Sequence, residues 1–169
     1  VVLFMAFTGV AAVLLPHGLT VCKLTGLNPS GFWQDQPPQP GPNDWKKFRV
    51  VVPNAEQVGL LVLDELSFNA AAVIHHSSVR FGQLLDNTSM PFGGCPILAP
   101  GDFHQLSPTT GSALYISLVK SALNVVPPQK KPHKRPLGAS AEALGTQTFK
   151  KFRKHELTEQ MRYAGDEEH

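Results

Sequence analysis

Gly59-Leu60-Leu61-Val62-Leu63, running directly into Asp64-Glu65, is the stretch on which the fold turns. An apolar run without alternation is what a strand buried on both faces of a parallel sheet requires. Here it delivers two adjacent carboxylates at its carboxyl end. A second short apolar segment, Pro96 to Ala99, ends in Gly101-Asp102 and repeats the arrangement. In open parallel sheets, ligands bind in the crevice beyond the carboxyl ends of the strands. Two strands that both end in acids therefore point to one shared site.

The segments around these strands alternate as an α/β fold demands. Val1 to Phe7 is another continuous apolar run, ended by Thr8-Gly9. Val10 to Leu15 reads as a helix with Gly18 as its stop, and Thr20 to Leu27 as the following connection. Ala70 to Leu85 is predicted helical, Pro91 to Gly94 a turn, and Ser140 to Phe152 helical again. Residues 28–44 are crowded with Pro37, Pro38, Pro40 and Pro42 and read as an exposed loop or insertion. Residues 127–136 form a proline-bounded cluster of Lys, His and Arg. That cluster reads as solvated more readily than as a phosphate contact.

Composition narrows the class without deciding it. A chain of 169 residues that is 42% hydrophobic and 17% charged has globular proportions, not those of a disordered segment, and fits one domain. A net charge of +2 permits a nucleic-acid partner and does not demonstrate one. Cys22 and Cys95 lie far apart, which suggests neither a disulfide framework nor a zinc site and fits an intracellular setting. The apolar opening to Leu15 is shorter than the roughly 20 residues of a spanning helix and is interrupted by Thr8 and Gly9, so no membrane segment is expected. The chain opens at Val1 inside a strand, as a fragment does.

An apolar strand ending in Asp-Glu is the Walker B pattern. There the aspartate holds Mg²⁺ and the glutamate polarises an attacking water, so adjacent acids with different aims are needed. Alone, such a pair is more often a solvated turn or a helix cap. Order raises it above that reading. Phe7-Thr8-Gly9-Val10-Ala11-Ala12, Gly18-Leu19-Thr20, Leu63-Asp64-Glu65-Leu66-Ser67, Pro91-Phe92-Gly93-Gly94, Gly101-Asp102-Phe103-His104-Gln105-Leu106 and Glu156-Leu157-Thr158-Glu159-Gln160-Met161-Arg162 follow one another along nearly the whole chain. The series resembles the petite integration frequency (PIF) family of superfamily-one DNA helicases, relatives of RecD and of the Helitron helicases.

The resemblance implies a RecA-like parallel sheet with flanking helices, of the P-loop NTPase type, with residues 1–169 as part of the first motor domain. It implies ATP and Mg²⁺ as cofactors, and single-stranded and forked duplex DNA as partners of a monomeric enzyme moving 5′ to 3′. Repair, recombination or telomere maintenance in the nucleus or mitochondrion would be its setting. Asp64 matches the Mg²⁺-associated acid and Glu65 the catalytic glutamate. Gln105 matches the γ-phosphate sensor, and Arg162 an arginine that stabilises transition-state charge. Thr8, Gly9, Ala11 and Ala12 match the motif that grips the single-stranded DNA backbone at a helix start. A structural reading of Gly9, as the residue a tight βα turn requires, stands beside that one.

The sequence also departs from the family. Cys22 stands where a histidine commonly follows the Gly-x-Thr step, Ser107 where a proline commonly follows Gln-Leu, and Pro100 precedes Gly101-Asp102. No Gly-x-x-x-x-Gly-Lys-Ser/Thr occurs, so the domain is expected to be truncated at its start and the isolated chain inactive toward ATP and duplex DNA. Two other readings remain. One is a non-catalytic remnant, derived from a mobile element, that retains single-strand binding; the other is an unrelated P-loop ATPase sharing only the acidic strand end. The paired His75-His76 read as surface or partly buried residues on different helix faces, and Trp33 and Trp45 as anchors of the proline-rich loop.

Overall fold

The computed structural model describes residues 1–28, 39–104, 108, 113–115 and 140–158. Among them, four strands form an all-parallel sheet: β1 (Val2–Ala6), β2 (Leu19–Thr20), β3 (Leu60–Asp64) and β4 (Ile97–Leu98), in the order β2-β1-β3-β4. The register runs from Val2 opposite Leu60 to Ala6 opposite Asp64, with Met5 opposite Leu19 and Val62 opposite Leu98. The connection leaving β1 leads to β2 on one side, and that leaving β3 leads to β4 on the other. The carboxyl ends of β1 and β3 therefore flank the point where strand order reverses, the crevice of an open α/β sheet.

Five helices accompany the sheet among the described residues: α1 (Gly9–Leu14), α2 (Val21–Thr25), α3 (Pro42–Val51), α4 (Ala71–Leu84) and α5 (Ala141–Lys150). Strand alternation puts Leu3, Met5, Leu61 and Leu63 on one face. These residues share one core with Val21, Leu24, Phe48, Ile74, Phe81 and Phe149. Each such side chain, once fully buried, stabilises the fold by about 1.5–3 kcal/mol. The opposite face carries Phe4 and Val62 and ends in Asp64. It is less covered, with Val2 46% and Leu98 57% exposed.

Two stretches differ from the sequence reading. Of the proline-rich loop assigned to 28–44, residues 29–38 fall outside the described residues, and at its far end Pro42 and Asp44 belong to the first turn of α3. Proline is tolerated at a helix start, where its missing N–H has no intrahelical partner in any case. The Asp44 carboxylate accepts from the Gly41 N–H at 2.9 Å and sits where the helix dipole favours negative charge. A composition that reads as loop is here a helix-start signal. Likewise, Thr20 to Leu27 is more than a connection. Thr20 closes β2, caps α2 through its hydroxyl, which accepts from the Lys23 N–H at 3.1 Å, and Gly26 ends that helix in the left-handed region.

Asp44 has a second task. Arg80 of α4 is 1% exposed, and its guanidinium lies 3.8 Å from the Asp44 carboxylate. Burial pushes the guanidinium pKa down and the Asp44 charge draws it back up. Also in α4, His76 is fully buried and not at the surface, while His75 is partly buried. Burial, then the neighbouring His76, pushes His75 down to about 4, which keeps it neutral at neutral pH. Trp45 lies partly buried against the core; Trp33 falls outside the described residues.

α5 approaches α4 through Gly145. A Cβ there would fall onto the Ala71 carbonyl oxygen, a backbone atom at the start of α4. Gly145→Ala is therefore expected to push the two helices apart and lower stability by about 1–3 kcal/mol, the range for forcing an extra carbon into a packed contact. Equilibrium unfolding in urea would measure it, and a midpoint equal to the parent's would refute the close approach. Among the described residues, no helix is long and apolar enough to cross a membrane.

Candidate functional site at the carboxyl ends of the strands

Thr8 follows β1 and caps α1. Its hydroxyl accepts from the Ala11 N–H at 3.2 Å, and its carbonyl from the Ala12 N–H at 3.1 Å. Ala12 is 3% exposed, so its small side chain packs α1 onto the body. Gly9 is exposed, has no positive φ, and a Cβ added there would meet nothing within 4 Å. The turn itself does not need glycine. What glycine provides is open space above the backbone. Gly18, in contrast, is needed sterically, because a Cβ would fall onto the Ala12 carbonyl oxygen.

Across the crevice, Asp64 ends β3 opposite Ala6, two residues before Thr8. One oxygen of its carboxylate accepts from the Glu65 N–H at 2.9 Å, which leaves the other free of that bond. Glu65 follows in the left-handed region, with φ 55° and ψ 46°. For a residue with a Cβ this conformation costs on the order of 1 kcal/mol and persists only where surrounding contacts over-determine it. The chain then enters a 3₁₀ turn, Leu66–Phe68. Phe68 closes the turn on the Glu65 carbonyl at 2.9 Å, and its ring lies 6.5 Å from that of Phe7 at the end of β1.

The end of β4 buttresses this turn. The Leu66 N–H donates to the Pro100 carbonyl at 2.9 Å. Gly101 lies so close that a Cβ there would be 2.9 Å from the amide nitrogens of both Leu66 and Ser67. Pro100 thus serves through its carbonyl, which needs no amide of its own. Asp102 is exposed, and its carboxylate accepts from the His104 N–H at 2.9 Å, shaping its own loop. The structure therefore brings Thr8, Gly9, Asp64 and Glu65 to the carboxyl ends of the two central strands, with Gly101 against the turn that follows Glu65. Gln105, Arg162 and the basic stretch 127–136 fall outside the described residues. Sequence reasoning missed Asn69, which is fully buried and donates its amide N–H to the Glu65 carbonyl at 3.0 Å. No local signal marks it, since an asparagine before an alanine-rich helix reads as an ordinary helix start.

Among the described residues, no group of three or more His, Cys, Asp and Glu could hold a metal ion. That arrangement still suits Mg²⁺, which is commonly bound by one or two carboxylates and completed by waters and substrate phosphates. The all-oxygen donors Asp64 and Glu65 fit a hard cation brought in with a nucleotide, and Asp64 would be its holder.

Comparisons with known proteins bear on the family and the fold. The chain matches the family described as PIF1-like helicase over residues 1–127. Among solved structures, it is similar to Bacteroides Pif1 in complex with ADP-AlF4, at 25% identity and a TM-score of 0.51, covering 72% of this chain and 26% of that one. Unliganded Bacteroides Pif1 matches at 22% identity and a TM-score of 0.50, covering 70% and 26%. Pif1 helicase from Candida albicans matches at 28% identity and a TM-score of 0.48, covering 64% and 24%. The chain thus spans about a quarter of the length of these structures. No curated protein matches it. With three quarters of its residues inside the family match, and with the parallel sheet that match implies, the chain belongs to the PIF1-like helicase family.

Proposed function

We propose that these residues form part of the first motor domain of an ATP-dependent DNA helicase, one that couples ATP hydrolysis to 5′-to-3′ movement on single-stranded DNA and to unwinding of forked duplexes. The observation that carries this reading is the meeting of Thr8-Gly9 and Asp64-Glu65 at the switch point of a parallel sheet. Asp64 would hold Mg²⁺, which offsets phosphate charge when bound. Glu65 would orient and polarise the water that attacks the γ-phosphate. The open space over Gly9, beside the exposed start of α1, suits a DNA backbone phosphate. Gln105 as phosphate sensor, Arg162 as the arginine facing transition-state charge, and Ala11 and Ala12 as part of the DNA grip complete the assignment carried by the family motifs.

A monomer acting in repair, recombination or telomere maintenance, in the nucleus or mitochondrion, is the corresponding setting. The isolated 169 residues contain no Gly-x-x-x-x-Gly-Lys-Ser/Thr and are expected to show no DNA-stimulated turnover of their own. The test is ATP hydrolysis by the complete gene product with and without single-stranded DNA, followed by unwinding of forks with a 5′ or a 3′ tail. DNA-stimulated hydrolysis and preferential opening of 5′-tailed forks are expected. DNA binding without any hydrolysis would replace this reading with that of a non-catalytic, single-strand-binding remnant.

A further inference from the structure

The left-handed backbone of Glu65 needs an explanation that its own side chain does not supply. Asparagine, aspartate and glycine visit this region readily, and glutamate does not. Four contacts surround the residue. Its N–H donates to the Asp64 carboxylate, and its carbonyl accepts from the Phe68 N–H at 2.9 Å and from the Asn69 amide at 3.0 Å. The next residue, Leu66, is tied to the Pro100 carbonyl. Of these, only the Asn69 contact comes from a fully buried polar side chain, which loses its hydration to make it. Nor does the Asn69 side chain cap α4, whose N-cap is Ala70 without a side-chain hydrogen bond; Asn69 closes the Leu66–Phe68 turn through its backbone N–H. Its amide reaches back four residues, to the carbonyl of the strained glutamate.

We propose that Asn69 is a positioning residue for Glu65: its buried amide holds the glutamate backbone in the left-handed region and so aims the carboxylate at the attacking water. The catalytic half of this statement rests on the proposed role of Glu65; the conformational half does not. An ordinary turn asparagine would contribute stability alone. A positioning one controls the geometry of a group whose displacement by about 1 Å lowers a rate on the order of 10²-fold.

Asn69→Asp is the discriminating variant, because it keeps the shape, loses the donor when ionised and regains one when protonated. In the full 169-residue chain, the Cα and Cβ chemical shifts of Glu65 are expected to move away from left-handed values at neutral pH. They should return as the pH falls and the buried carboxyl takes up its proton, while Val62 and Phe81 stay in place as fold controls. In the complete gene product, kcat should fall about 10- to 100-fold at neutral pH with KM unchanged. The ratio of variant to parent kcat should climb toward acid pH. Should Asn69→Asp fail to fold, Asn69→Ala removes the donor without adding charge and gives the same shift readout. Glu65 shifts that stay left-handed in either folded variant, or a kcat equal to the parent's, overturn the proposal. Failure of the catalytic reading is separate: Glu65→Gln would then leave turnover intact, whatever Asn69 does to the shifts.

Discussion

Glu65→Gln in the complete gene product is expected to lower kcat for ATP hydrolysis on the order of 10²–10⁴-fold, the contribution of a well-placed acid–base group, while leaving affinity for single-stranded DNA at the parent value. Glutamine keeps the length and the hydrogen-bonding head of the side chain, so the left-handed turn and its contacts to Asp64, Phe68 and Asn69 should survive. What disappears is the negative charge that, in the proposed mechanism, polarises the attacking water. DNA contact, in contrast, is proposed for the start of α1, which follows the neighbouring strand end. Steady-state hydrolysis and fluorescence anisotropy on one preparation separate the two effects. Parallel loss of both would mean that the turn has collapsed, and loss of neither would remove Glu65 from the chemistry.

The largest effect on stability is expected at Asp44, well away from that chemistry. Asp44→Ala removes the carboxylate that faces the buried guanidinium of Arg80 and the acceptor for the Gly41 N–H at the start of α3. Breaking a buried ion pair by deleting one partner typically costs 3–5 kcal/mol; because Asp44 is partly solvated, the lower end, about 3 kcal/mol, is expected. For a chain of this size that corresponds to a fall in Tm of about 6–12 °C. Asp44→Asn keeps an acceptor for the cap and loses the charge, so its deficit should lie between parent and alanine. If Asn equals parent, the cap dominates and the ion pair contributes nothing.

Much of the fold was legible because its signals are local and redundant. The apolar runs that became β1 and β3 have no alternation to confuse with an amphipathic helix, and Asp64-Glu65 marks the end of β3 by composition alone. The predicted helix over Ala70 to Leu85 became α4, Ala71–Leu84. α3 was hidden because Pro42 and Asp44 stabilise a first helical turn as well as they populate a loop, and only the Gly41 contact separates the two. In the site, the acids could be read from order and spacing. Gly9 was ambiguous, and the empty space above it shows that the turn sets no steric requirement for glycine. Asn69 could not be read at all, and Gly101 was read only as a strand end, since the close contacts of both are with residues that tertiary packing alone brings near.

The left-handed glutamate also sets a conflict between durability and activity. At position 65 the backbone would be more comfortable as glycine, which reaches φ 55° without steric cost. Selection of variants for heat resistance alone would therefore favour discarding the carboxylate proposed to polarise the attacking water. An engineering campaign on this domain must hold residue 65 fixed and seek its gains elsewhere. Conversely, a natural homologue with glycine at this place would be the sturdier protein and the silent enzyme.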